Sequence, residues 1–203
     1  MIIGMCGLIG TGKDTVADVL VREYNFIKVS FADKLKDGVA TVFGWNRDML
    51  EGKTDESRKW REQKDEFWSR ETNEHITPRL VLQMFGTDCM RNGFYNGIWV
   101  SLVKQQILQN PNQHFVIPDV RFENEAIMIR QVGGEVWRIC RGTDPDWFTS
   151  YIQDNVQPEN VHESEWRWAK LQFDCVIENN DTIKDLKSQV SNHLASNALL
   201  ASA

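Results

Sequence analysis

Gly7-Leu8-Ile9-Gly10-Thr11-Gly12-Lys13-Asp14-Thr15 follows a short apolar run, Ile2 to Cys6, and opens an amphipathic one, Thr15 to Tyr24. Apolar strand, glycine-rich loop, lysine and helix, in that order, are the parts of a phosphate-binding loop. Glycines give the backbone dihedrals closed to other residues, so several N–H groups can turn inward on one anion. The following helix offers its unpaired N–H groups and positive dipole end to the same anion. Lys13 adds a mobile charge. The candidate phosphate ligands are therefore Gly7, Gly10, Thr11, Gly12, Lys13, Asp14 and Thr15. The strict pattern places Ser or Thr directly after the lysine, to reach Mg2+. Here Asp14 stands in that position and Thr15 comes next, so the metal contact is open between them, direct or through water. A glycine-rich turn that binds nothing is the competing reading, and the flanking strand and helix argue against it.

Outward from the loop, Val16, Leu20 and Tyr24, with Ala17 and Val21 beside them, form one helical face. Phe26 to Phe31 is a second strand-like run, and Ala32 to Phe43 a helix that Gly44 closes. Residues 46–75 are dense in both charge signs and read as a solvated helical hairpin with ion pairs. Arg58 and Arg61 there can share a helix face. Thr77-Pro78 starts a helix expected to reach about Asn92, with Gly86 marking a close approach. Ile98 to Leu108 is a further amphipathic helix. His114 to Ile117, Glu135 to Cys140 and Phe173 to Ile177 read as strands. Between them Glu123 to Val132 is helical and ends at Gly133-Gly134. A capping-box-like start at Thr182 opens a helix to about Leu194, and the remaining residues read as frayed. The strand-like runs are apolar throughout, not alternating. That pattern is an α/β architecture with a parallel sheet covered on both faces.

The chain's 203 residues suit one domain with an inserted lobe, and 41% apolar residues suffice for a core. A formal charge of -6 argues against broad nucleic-acid binding. No run is long enough for a membrane span, and the N-terminal apolar run, cut by Gly7, does not read as a signal peptide. Cys6, Cys89, Cys140 and Cys175 lie far apart without metal-type spacing, which suits buried free thiols in a reducing cytoplasm.

Ligands of parallel sheets sit at the carboxyl ends of strands. The glycine loop lies at one such end and Asp119-Val120-Arg121 at another. A carboxylate at 119 can hold Mg2+ through water or take an acceptor's proton, and Arg121 can grip a phosphate as a planar fork. The bland alternative is a surface ion pair. Arg79 and Gln83 share a helix face at i, i+4: an arginine for a phosphate, an amide for a base edge, or a polar face in water. Arg138, Arg141 and Arg167 surround the segment after the fourth strand. Phosphoryl transfer needs cations on the moving group and exclusion of water, and Arg141 is the best placed of the three. His162 reads as structural, since no paired nucleophile is evident.

A resemblance carries these readings further. The loop ending Gly12-Lys13-Asp14-Thr15 is joined by Ser30-Phe31-Ala32-Asp33 with Leu35-Lys36, and by Arg79-x-x-x-Gln83-x-x-Gly86-Thr87 with Arg91. Asp119-Val120-Arg121-Phe122 with Glu125, Gly133-Gly134, His162-x-Ser164-Glu165 and Phe173-Asp174-x-x-Ile177-x-Asn179 complete the set. In this order they resemble the bacteriophage deoxynucleoside monophosphate kinases, a branch of the P-loop nucleoside monophosphate kinases. Adenylate-kinase-like enzymes share the non-hydroxyl residue after the lysine.

The resemblance implies a three-layer P-loop fold in a single domain, 1–203, with a helical monophosphate-binding lobe over about 33–97 and a lid over about 141–167. It implies transfer of the γ-phosphoryl of ATP to a deoxynucleoside 5′-monophosphate, with Mg2+, for DNA precursor synthesis; the base is left open. Lys13, Arg121 and Arg141 are the expected catalytic residues. Phe31, Lys36, Arg79, Gln83 and Arg121 are expected on the acceptor, and Asp14, Thr15 and Asp119 at the metal, directly or through water. The expected partners are the monophosphate and ATP, with no nucleic acid or membrane. A homodimer is compatible with the sequence, and a viral chain would work in the host cytoplasm. The rivals are a P-loop kinase of a coenzyme precursor or sugar acid, and a nucleotide-binding regulatory module. A GTPase switch would carry an Asn-Lys-x-Asp guanine reader, and no such tetrapeptide occurs.

Overall fold

Side chains alternate between the two faces of a strand, and strand β1 (Ile2–Cys6) buries both of its faces. In the computed structural model, which describes residues 1–159, 161 and 163–201 (for 197–201 without side chains), the chain forms two compact units. One comprises Met1–Ser30 and Lys104–Ala203, the other Phe31–Val103. His162 lies outside the described residues.

In the first unit β1 is followed by helix α1 (Lys13–Tyr24) and strand β2 (Phe26–Lys28). After the second unit come β3 (His114–Ile117), α8 (Glu123–Gln131), β4 (Glu135–Cys140), α9 (Asp146–Asp154) and α10 (Glu163–Trp166). A 3-10 turn at Arg167–Lys170, strand β5 (Cys175–Glu178) and helix α11 (Ile183–Ala201) complete it. The five strands form one parallel sheet in the order β2-β3-β1-β4-β5. Ile2 lies opposite Phe115 on one side of β1, and Ile3 opposite Glu135 on the other.

Ile3 and Met5 pack with Val16 and Leu20 of α1, Trp137 and Ile139 of β4, and Leu186 and Val190 of α11. On the opposite face Gly4 lies so close to α8 that a Cβ there would stand 2.3 Å from Ile129 Cδ1. Helices therefore cover both faces, as apolar strands require. The last strand is shorter and later than the Phe173 to Ile177 run suggested, because Asp174 is used differently: its carboxylate accepts from Val136 N at 2.8 Å. The final helix runs past Leu194 to Ala201, starting where Thr182 and Asp185 cap each other.

The second unit is helical: α2 (Asp33–Phe43), α3 (Arg47–Glu51), α4 (Asp55–Glu62), α5 (Glu66–Thr72) and α6 (Pro78–Gln83). A π-helical stretch, Met84–Asn92, follows, and α7 (Ile98–Gln109) starts here and continues into the other unit. Val39, Leu50, Ile76 and Val81 form its core, with Phe43, Trp45, Trp60 and Trp68 packed against it. The expected hairpin over 46–75 is instead three short helices. Each is stopped and restarted locally. Asn46, Thr54 and Asp65 each accept backbone N–H groups at the start of a helix, and Gly44 and Gly52 take left-handed turns at the ends of α2 and α3. Such caps satisfy the orphan N–H groups of helices too short to persist alone.

The helix starting at Thr77 is likewise interrupted. Past Gln83 its hydrogen bonds widen to five-residue spacing, as in Gly93 N to Asp88 O at 3.0 Å and Tyr95 N to Met90 O at 2.9 Å. The physical cause lies at Gly86. Its carbonyl accepts from Trp99 Nε1 at 3.0 Å, and Leu35 occupies the space where a side chain would stand. Glycine gives little resistance to such a change of spacing.

Candidate active site

Five parallel strands send their following loops out from one edge, and the first unit gathers its polar residues there. The glycine loop leaves β1 with Gly7 at φ +147° and Gly12 at φ +94°. A Cβ at Gly7 would stand 2.3 Å from the carbonyl oxygen of Ile139, and one at Gly12 2.3 Å from Asn179 Nδ2. Both positions therefore require glycine for shape as well as for dihedral. Thr11 is buried and donates through Oγ1 to Leu8 O at 2.9 Å. Gly12 caps α1 without a side-chain hydrogen bond, which leaves the first helical N–H groups for an anion.

Lys13 Nζ donates to Gly7 O and Leu8 O, both at 2.8 Å. Burial, followed by the charge of Arg121, holds its pKa below the ordinary lysine value. Thr15 is exposed on the first turn of α1. Asp14 is turned outward, with its side chain 77% exposed and paired to Lys28 Nζ at 2.6 Å. Beneath the loop the Cys6 thiol is buried and its pKa is pushed up to about 12 by desolvation.

Val120 N donates to Met5 O at 3.1 Å, which fixes the stretch after β3 beside the end of β1. Asp119 accepts from Ser30 Oγ at 2.6 Å through Oδ2. The buried Glu125 carboxylate accepts from Arg121 N at 2.7 Å and Phe122 N at 3.0 Å, so the backbone that carries Arg121 is tightly held. Arg121 Nη1 donates to Ser164 Oγ at 3.1 Å and pairs with Glu165. Lys13, Arg121 and Glu165 thus share one electrostatic neighbourhood.

Of the three arginines around the segment after β4, Arg138 is occupied. Its Nη2 holds Asp144 at 2.5 and 2.6 Å, and its guanidinium lies 4.3 Å from the centre of the Phe148 ring. Arg167 pairs with Glu163 at 3.1 Å. Arg141, just past β4, is exposed and makes no hydrogen bond or ion pair among the described residues.

The other expected substrate residues belong to the second unit. Phe31 is buried at its start. Lys36 Nζ donates to Glu51 Oε2 at 2.9 Å, a mostly buried pair that Arg47 joins at 2.6 Å. Arg79 pairs with Glu62 at 2.8 Å in an exposed contact, and Gln83 is exposed at the end of α6.

Asn179, just past β5, belongs to the stretch that carries the family resemblance, but its spacing assigns it no task. Its Nδ2 donates to Thr11 O at 2.9 Å, bracing the glycine loop from the neighbouring strand end. Its position after an apolar strand was the available signal. Ser30, Lys28 and Glu165 also act on site residues, through contacts that no sequence spacing announces.

A sequence profile of the deoxynucleotide monophosphate kinase family matches residues 49–190, more than half of the chain. A relative from Acanthamoeba polyphaga mimivirus, assigned to the same kinase activity, is 31% identical over 201 residues, covering 94% of each chain. The deoxynucleotide monophosphate kinase of Enterobacteria phage T4 is 21% identical over 252 residues, covering 95% of this chain and 98% of that one. A 56-residue stretch is 38% identical to the deoxynucleoside-5′-monophosphate kinase of Escherichia phage T5, covering 28% of this chain and 22% of the other. With a glycine loop shaped for phosphate at the edge of a parallel sheet, a family profile over more than half of its residues and the mimivirus and T4 relatives along nearly its whole length, the chain belongs to the deoxynucleotide monophosphate kinase family.

Proposed function

We propose that this chain transfers the γ-phosphoryl of ATP to a deoxynucleoside 5′-monophosphate. The observation that carries the reading is the gathering of the glycine loop, Lys13, Asp119 and Arg121 at one sheet edge of a chain in this family. Phosphoryl transfer leaves little covalent chemistry for a protein, so position and neutralised charge supply the acceleration.

Each residue then has a task. The loop N–H groups and Lys13 hold the donor phosphates, with Thr15 on the first turn of the helix. Arg121 grips the acceptor's phosphate; a phosphate oxygen offers its guanidinium the same acceptor chemistry as Glu165. Asp119 takes the acceptor's proton or faces the metal. Arg141, with no internal partner among the described residues, closes over the moving group. Arg79, Gln83 and Phe31, also expected on the acceptor, belong to the second unit. Lys36, expected on the acceptor, is paired with Glu51.

Mg2+ fits this donor set. Among the described residues no three His, Cys, Asp or Glu side chains gather into a metal cage. Magnesium is usually held by one or two carboxylates together with substrate phosphates. Asp119 and Thr15 would hold it or its waters, while Asp14 is tied to Lys28. When bound, it would neutralise charge on the phosphate oxygens.

A coupled assay over the four common deoxynucleoside monophosphates, against sugar acids and pantetheine compounds, tests the substrate class. If no monophosphate is phosphorylated, the reading is wrong. Lys13→Ala lowers kcat by about 100-fold or more, since a charge aimed at the transferring group is removed. Its far-UV circular dichroism stays that of the parent. Substantial turnover in a folded Lys13→Ala protein would remove Lys13 from the donor site.

A further inference from the structure

The chain leaves β4 at Cys140 and enters α9 at Asp146, and the short connection between them carries Arg141. This connection is tied at three points, all within the first unit. At its start, Cys140 O accepts from Asn179 N at 2.8 Å. In its middle, Gly142 takes a left-handed turn at φ +67°, and its N donates to Asn180 Oδ1 at 2.7 Å. Towards its end, the two carboxylate oxygens of Asp144 accept from Arg138 Nη2 at 2.5 and 2.6 Å. Arg141 stands inside this frame, exposed and without a hydrogen bond or ion pair among the described residues.

The anchor is itself fixed. The Arg138 side chain is 16% exposed, and its guanidinium lies 4.3 Å from the centre of the buried Phe148 ring. That ring leans on Trp168, with the two ring centres 5.7 Å apart. In the sheet Arg138 stands opposite Cys6, the residue before Gly7. The frame also shares a brace with the glycine loop, because Asn179 Nδ2 donates to Thr11 O at 2.9 Å. One guanidinium nitrogen held between two carboxylate oxygens fixes direction as well as distance. Desolvation offsets much of the attraction in such a pair, so what it supplies is geometry more than stability.

A cation that meets a moving phosphoryl group has to be in place beforehand, because transfer is sensitive to displacements of about 1 Å. We infer that the Arg138–Asp144 pair, together with Asn180, positions Arg141: it sets the loop from which that guanidinium reaches the transferring group. The three residues touch neither substrate and act only through Arg141. This inference rests on the proposed kinase reading and gives a task to residues which that reading leaves without one.

The test is a double-mutant cycle on the full chain, with kcat read at saturating ATP and deoxynucleoside monophosphate and Kd for each read by calorimetric titration. Arg141→Ala alone lowers kcat about 100-fold or more. Asp144→Asn lowers kcat about 10-fold and leaves both Kd values unchanged. In the Arg141→Ala background the same substitution has no further effect. Asn180→Ala, an exposed change, repeats the pattern with a loss of about 3-fold in kcat, and carries the test by itself should Asp144→Asn fail to fold. Losses that persist undiminished in the Arg141→Ala background overturn the positioning role and leave the kinase reading standing, as does an unchanged kcat in the folded single variants. Full turnover by Arg141→Ala overturns the positioning role together with the place given to Arg141. A parent chain that phosphorylates no monophosphate refutes the kinase reading itself, and this inference with it.

Discussion

Glu51 shows how one carboxylate can tie down a charged region. Burial pushes its pKa up, but hydrogen bonds from Lys36 and Arg47 outweigh this and bring it from 4.5 to about 2. A depressed carboxylate binds fewer protons folded than unfolded, so stability rises with pH between the two values. The contribution of Glu51 is complete above about pH 4.5 and is lost as pH falls through about 2. Denaturant unfolding of the parent and of Glu51→Gln should therefore converge as the solution is acidified through that window. The variant is the less stable at pH 7, because Lys36 and Arg47 lose their shared acceptor. Parallel curves at all pH values would show that the triad contributes nothing of this kind.

At the scale of elements, the glycine loop is held by the strands beside it. Ile139 O blocks any side chain at Gly7, and Asn179 grips Thr11 O while its own N–H donates to Cys140 O at 2.8 Å. Asn179→Ala frees a carbonyl and opens space beside Gly12. The expected result is an increase of about 2- to 10-fold in KM for ATP, the worth of one hydrogen bond, with the monophosphate KM unchanged. An equal rise in both would point to general loosening.

The strand–loop–helix order was legible because the motif is local. The switch to π-helical spacing after Gln83 was not. It depends on Trp99 Nε1 taking the Gly86 carbonyl and on Leu35 filling the space beside it, and neither contact has a period along the chain. The charged stretch over 46–75 misled for a related reason. Its charges suggested a long solvated hairpin, whereas the side chains of Asn46, Thr54 and Asp65 restart a new helix every few residues.

For the molecule as a whole, each compact unit has a core of its own. Leu50 is fully buried in the core of the second. Leu50→Ala should cost about 2–5 kcal/mol through lost burial and a residual cavity, read by chemical unfolding followed by tryptophan fluorescence. A loss well below 1 kcal/mol would mean that this core collapses around the gap. Mostly apolar, non-alternating strands made the parallel sheet legible, and residues just past the strands made much of the candidate site legible. Strand order was not legible, and neither were the partners that reach in from afar: Ser30 on Asp119, Lys28 on Asp14, Glu165 on Arg121. These are set by pairing between distant segments.

That same pairing bears on how the chain is made. β1 is made before its neighbours on either side, His114–Ile117 and Glu135–Cys140, which follow only after the whole second unit. Contacts so remote must await loop closure, which makes parallel sheets slow to assemble. Until β4 has left the ribosome, Gly7 has no Ile139 to rest on, and until β5 follows, Thr11 has no Asn179. The phosphate loop thus precedes in the chain the two strands that give it its working shape.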